Sequence, residues 1–145
     1  MKPRILIVDD EKNTREGLRW ALEGHNFEIS LAADGKQAIE ILSVTPVDLV
    51  ITELKMPQID GLDLMKHIQR DYPETLVIIL TGHGTIDSAV GAMKNGAFDF
   101  IEKPVNIDDL NNRVERAFLQ KNLKEENEEM RRTLQEQFGL QNIIG

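Results

Sequence analysis

The residues of this chain best able to do chemistry recur at intervals, each just after a short apolar run. Asp9, Asp10 and Glu11 follow Ile5–Val8, Glu53 follows Val47–Ile51, Thr81 follows Leu76–Leu80, and Lys103 follows Phe98–Ile101 and precedes Pro104. Carboxylates brought together repel one another unless a cation sits among them. An all-oxygen cluster open to water suits a hard divalent ion, and Mg²⁺ is the usual one for phosphate chemistry. A lysine adds a point charge for phosphoryl oxygens, and a threonine adds a hydroxyl donor. Together these groups make a site for phosphoryl transfer, in which positioning and charge neutralisation do most of the work. Each piece alone has a plainer reading: an Asp-Asp pair often only starts a helix, and Thr81-Gly82 and Lys103-Pro104 are ordinary turn material. Chance accounts far less readily for their joint placement after successive runs.

For these residues to meet, the runs must be neighbouring strands. Ile5–Val8, Phe27–Leu31, Val47–Ile51, Leu76–Leu80 and Phe98–Ile101 are short, β-branched and often apolar at every position, as expected of strands buried on both faces of a parallel sheet. Segments of helical period alternate with them. Thr14–Leu22 places Leu18, Ala21 and Leu22 on one face; Lys36–Leu42 offers Ala38, Ile39, Ile41 and Leu42; Leu62–Ile68 offers Leu62, Leu64, Met65 and Ile68; Ile86–Met93 offers Ile86, Ala89, Val90 and Met93. Asp34-Gly35, Asp60-Gly61, Tyr72-Pro73 and Asn95-Gly96 punctuate the pattern as turns. The alternation predicts an α/β fold: a flavodoxin-like (βα)5 doubly wound parallel sheet, strand order 2-1-3-4-5, with right-handed crossovers. In that order strands one, three, four and five are neighbours. Their carboxyl ends, where such sheets bind ligands, bring the acidic residues, Thr81 and Lys103 into one pocket.

Past Pro104 the texture changes. An extended C-terminal helix is predicted over Asn106–Phe138, capped by Asn106, with Asp108 and Asp109 in its first turn and no glycine or proline inside it. Leu110, Val114, Ala117 and Phe118 suit packing on the sheet. Lys121–Gln137 is too polar for a core and fits a heptad frame, with Leu123 and Met130 at one seam position and Asn127 and Leu134 at the other. Gly139 is expected to end the helix, and Gln141–Gly145 reads as the entry to another domain. The expected division is 1–120 as a folded domain, 121–138 as a helical, coiled-coil linker, and 139–145 as the start of something further.

The chain has 145 residues, 17 of them Lys or Arg against 25 Asp or Glu, for a net charge of -8. Such a chain has no basic face for a phosphate backbone, so no nucleic acid is expected to bind. There is no cysteine, which excludes disulfides and thiolate chemistry. No apolar stretch is long enough to span a membrane, and the opening MKPRILIVDDEK is unlike a signal peptide. A soluble cytoplasmic protein is the expectation. His25, His67 and His83 lack metal-ligand spacing; His25 and His67 are read as surface positions, and His83, near the pocket, has no acid–base duty to perform there. Trp20 and Phe27 are read as core or rim packing.

Taken together, Ile5–Glu11 (ILIVDDE), Asp48–Pro57 (DLVITELKMP) followed by Asp60-Gly61, Ile79–Gly84 (ILTGHG) and Gly96–Pro104 (GAFDFIEKP) resemble the signature of the response-regulator receiver domain. The resemblance covers residues 1 to about 120 and is specific, because the motifs occur in order with suitable spacing. The Thr81–Thr85 and Leu54–Pro57 runs look most like the NtrC class of sigma-54-dependent activators, and Gln141–Gly145 resembles the first residues of their AAA+ ATPase domain. The resemblance implies an N-terminal fragment of such a protein: a Mg²⁺-dependent phosphorylation switch, not an enzyme in its own right. It would answer to a sensor histidine kinase and control its own ATPase domain, and it is expected to be a homodimer. By position, Asp10 is implied to bind Mg²⁺ directly, Asp9 through water, and the Lys55 backbone carbonyl to complete the protein ligands, with Glu53 also at the metal. Thr81 and Phe100 are implied as the switch pair and Lys103 as the contact to a phosphoryl oxygen. A cis peptide is implied before Pro104.

One residue departs from the family pattern. The phosphate acceptor is aspartate in the family, and here that position is Glu53. The departure leaves open a domain that cannot be phosphorylated, a phosphomimetic one, and a pseudo-receiver that serves only as an interaction module. A Mg²⁺-dependent phosphatase would want an Asp-x-Asp pair on the first strand, where this chain has adjacent Asp9-Asp10. A flavodoxin would want a hydroxyl- and glycine-rich loop where this chain is acidic.

Overall fold

The computed structural model describes residues 2–82 and 86–138. Five strands, β1 (Arg4–Val8), β2 (Glu28–Ala32), β3 (Leu49–Glu53), β4 (Leu76–Thr81) and β5 (Asp99–Glu102), alternate with helices α1 (Lys12–Glu23), α2 (Gly35–Val44), α3 (Gly61–Asp71), α4 (Ile86–Lys94) and α5 (Ile107–Phe138). All strand pairs are parallel and the order is β2-β1-β3-β4-β5, as the alternation predicts. The chain resolves into two compact units, Met1–Arg113 and Val114–Gly145.

Within the first unit the sheet is buried on both faces. Leu6, Val8, Val50, Val77 and Ile79 share a cluster with Ala38 and Leu42 of α2 and with Leu64, Met65 and Ile68 of α3. The alternate positions Ile5, Ile7, Leu49, Ile51, Ile78 and Leu80 are also almost wholly buried, on the opposite face of the pleat. Leu18, Ala21 and Leu22 of α1 and Leu110 of α5 are buried as their spacing predicts. In α4 the expected face is displaced: Ala89 and Ala92 are buried, whereas Val90 and Met93 are 45% and 41% exposed. The small residues approach the sheet, and period alone does not distinguish them from the larger ones beside them.

Caps set the helix starts. The Asp34 carboxylate accepts from Gln37 N at 2.8 Å while Gln37 Oε1 accepts from Ala33 N at 2.6 Å, a reciprocal cap for α2. Asp60 accepts from Asp63 N at 2.8 Å, and Asn106 from Asp109 N at 3.0 Å. Gly61 is required by close approach, since a Cβ there would collide with the Glu53 carbonyl oxygen. The Lys103-Pro104 peptide is cis.

In the second unit, residues 114–138 are helical. Leu119, Leu123, Met130 and Leu134 are 60%, 55%, 64% and 40% exposed. The proposed helix stop at Gly139 and everything after it lie outside the described residues, as does His83. Trp20 is not a core residue: it is 69% exposed. It lines an apolar cleft of about 360 Å³ with Leu18, Pro104, Ile107, Leu110 and the Lys103 stem.

Candidate functional site at the carboxyl ends of the strands

Each candidate side chain is placed by the end of a strand. Strand β1 stops at Val8, and Asp9 follows fully buried, whereas Asp10 is exposed. Strand β3 runs two residues beyond its apolar stretch, through Thr52 and Glu53. The ladder carries it there: Glu53 pairs with Leu80, and Leu54 N still donates to Leu80 O at 2.8 Å. Glu53 is consequently only 5% exposed. Thr81 ends β4 at 4% exposure, and its carbonyl accepts from Lys103 N at 2.8 Å just past β5.

Lys103 gathers the acids. Its Nζ is 3.0 Å from Asp9 Oδ2 and 3.8 Å from Glu11 Oε1, and it is ion-paired with Glu53 Oε2. The other Asp9 oxygen, Oδ1, accepts from Glu11 N at 2.8 Å, so both oxygens of that buried carboxylate are engaged. Arg15 Nη1 holds the Asp9 carbonyl at 2.7 Å. Burial works against the Lys103 ammonium, yet the hydrogen bonds and charges of Glu53 and Asp9 outweigh it and hold the lysine above its ordinary range.

The structure thus brings together Asp9, Glu53 and Lys103, with Thr81 on the adjoining strand end. Phe100 pairs with Ile79 and its half-buried ring packs against the core cluster. Asp10 and Lys55 are exposed beside the pocket. The donors are the hard oxygens that a divalent cation prefers, and Asp9, Asp10, Glu11 and Glu53 outnumber the single ammonium among them. Among the described residues, however, no three carboxylate or imidazole groups stand ready-grouped around a metal position; Lys103 is shared by the two buried acids instead. Glu11, grouped with Asp9 and Asp10 by its place after the first apolar run, proves to be a third contact of Lys103, whereas the hold of Asp99 and Arg113 on the Phe100 main chain is not signalled by any motif. Only the i,i+4 spacing of Asp109 and Arg113 hints at the last.

A five-stranded doubly wound parallel sheet with an acidic pair, a carboxylate, a hydroxyl and a lysine at successive strand ends has the form of a signal-receiver domain. The family model described as the response regulator receiver domain matches residues 5–115, and the chain belongs to that family. It is 45% identical over 125 residues to an NtrX-like response regulator of Rickettsia felis, covering 85% of this chain and 26% of that protein. It is 37% identical over 113 residues to the DNA-binding transcriptional regulator NtrC of Escherichia coli, covering 78% and 24%. The crystal structure of NtrX from Brucella abortus in complex with ADP superposes with a TM-score of 0.85 at 35% identity, covering 90% of this chain and 30% of that one. The receiver is therefore of the NtrC class, and the chain spans about a quarter of the length of the curated relatives it matches. Among the described residues no helix is long and apolar enough to cross a membrane.

Proposed function

We propose that this chain is the regulatory switch of an NtrC-class activator whose acceptor position is occupied by a permanent, non-transferable negative charge, Glu53. The observation that carries the reading is the burial of Glu53 at the end of β3 in an ion pair with Lys103. A glutamate carboxylate reaches roughly 1.5 Å further than that of aspartate, one C–C bond. The extra reach takes the charge to the ammonium that would otherwise meet a phosphoryl oxygen. The carboxylate is then spent as a nucleophile, and its charge stands in for part of a phosphoryl group. Mimicry is partial, because a phosphoryl group brings nearly two charges and three acceptor oxygens against one and two here. Thr81 and Phe100 are the switch pair that reads this charge, biased toward the active form.

Asp9, Asp10, Glu53 and the Lys55 carbonyl would hold Mg²⁺, which would supply charge neutralisation for phosphoryl oxygens. Because Lys103 already neutralises Asp9 and Glu53, a divalent ion would compete with an internal ammonium and would bind weakly. The domain performs no turnover of its own. Its partners are a sensor histidine kinase, for which the apolar cleft beside Lys103 offers a seat next to the pocket, and the ATPase domain of a longer protein acting in sigma-54-dependent transcription in the cytoplasm. In this reading residues 1–120 are the receiver, 121–138 a coiled-coil linker and 139–145 the start of the ATPase domain. The exposed Leu123, Met130 and Leu134 support a homodimer through the linker.

The test is labelling by acetyl phosphate. Glu53→Asp is expected to become labelled, with the label lost in a further Asp10→Ala change, while the present chain stays unlabelled. Labelling of the present chain would overturn the block.

A further inference from the structure

Strand β5 is an open edge of the sheet, and an edge strand leaves backbone groups without a ladder partner. At Phe100 side chains take both. The Phe100 N–H donates to Asp99 Oδ1 at 2.9 Å, and the Phe100 carbonyl accepts from Arg113 Nη1 at 3.2 Å. The same Nη1 donates to Asp99 Oδ1 at 2.6 Å, while Arg113 Nε bonds both carboxylate oxygens of Asp109 at 3.0 Å. Asp99 is 8% exposed, so its charge is withdrawn from water and met by the guanidinium. Charge-assisted bonds in such surroundings are short and strong. The planar fork of arginine reaches Asp99, Asp109 and the Phe100 carbonyl at once, which a lysine ammonium on a flexible stem does not reproduce. Phe100 is therefore gripped at its ring by the core and at its main chain by a residue rooted in the second turn of α5.

We propose that Arg113 is a positioning residue that couples the Phe100 main chain to the start of α5, so that a rearrangement of Phe100 is carried through the Asp99–Arg113 clasp to residues 107–113. The inference rests on the reading of Phe100 as a switch residue. The clasp fixes the edge of β5 and the beginning of α5 as one hydrogen-bonded piece, and Asp109 steadies the guanidinium from the helix side.

The experiment records backbone amide shifts of the ¹⁵N-labelled Glu53→Asp chain before and after acetyl phosphate with Mg²⁺. It compares Arg113 with Arg113→Gln, the milder Arg113→Lys, and Asp109→Asn, which leaves the Asp99 and Phe100 contacts in place. With Arg113 present, Phe100 and residues 107–113 are expected to move together. In both Arg113 variants Phe100 should still move while the response of residues 107–113 falls several-fold, and Asp109→Asn should retain it. A full response of residues 107–113 in the Arg113 variants overturns the coupling. So does an equal loss in Asp109→Asn, which would mean only a loosened helix start. A Phe100 amide that is silent to phosphodonor with Arg113 in place overturns the switch reading instead. Arg113→Lys carries the comparison if Arg113→Gln does not fold.

Discussion

Lys103 is the residue on which the pocket turns, because it is the cation that Asp9, Glu11 and Glu53 share. Its raised pKa has a consequence for stability. A lysine whose folded value lies above its ordinary 10.5 contributes stability fully below that value and loses it as pH rises through the folded one. Lys103→Met should destabilise the domain by about 3 kcal/mol near neutrality, since it strands buried carboxylates. The gap between variant and parent should close as denaturation is repeated above pH 10.5. A gap that is constant with pH would show that the ion pairs are not its source. The same lysine stands where the proposed metal would bind. Mg²⁺ should raise the melting temperature of the present chain slightly by linkage. It should raise that of Lys103→Met and of Glu53→Asp more, and that of Asp10→Ala not at all. Equal Mg²⁺ responses in all four proteins would remove the metal site from these residues.

At the scale of elements, the strands and the placement of the acids were legible because buried parallel strands write themselves as continuous apolar runs. What those runs concealed was the length of β3. Thr52 and Glu53 are polar, yet the ladder to β4 continues through them, so the glutamate is a strand residue with a buried carboxylate rather than a loop residue. The α4 face was misread because alanines make the contact and Val90 and Met93 face outward. For Trp20 the structure decides between core and rim: it is exposed and lines an apolar cleft, because aromatic bulk alone does not say which. The Asp99–Arg113 pair, 14 residues apart, leaves no periodic trace. The later part of α5 has the opposite character: Leu123, Met130 and Leu134, the apolar members of the expected heptad frame, are exposed. Sedimentation should give a dimer for the intact chain and a smaller species for a version ending at Gln120, with Asn127 at the seam fixing the register at some cost in stability. Two monomers at micromolar concentration would rule out the linker as the dimer contact.

For the whole molecule, family and fold leave one question that geometry sharpens: what a glutamate does where the family keeps an aspartate. The structure places a buried carboxylate in an ion pair with Lys103 at the end of β3, and in the proposed reading it is a fixed charge that no phosphate hydrolysis removes. A single charge shifts a two-state equilibrium only as far as its differential interaction with the two states allows, so in the proposed reading an intermediate setting is predicted. The most direct measurement is the position of the Thr81 and Phe100 amide resonances of the present chain on the line joining unmodified and phosphorylated Glu53→Asp. The resonances are predicted to fall between the two ends, with remote switch positions displaced in the same proportion. Coincidence with the unmodified protein at those remote positions would contradict activation by Glu53.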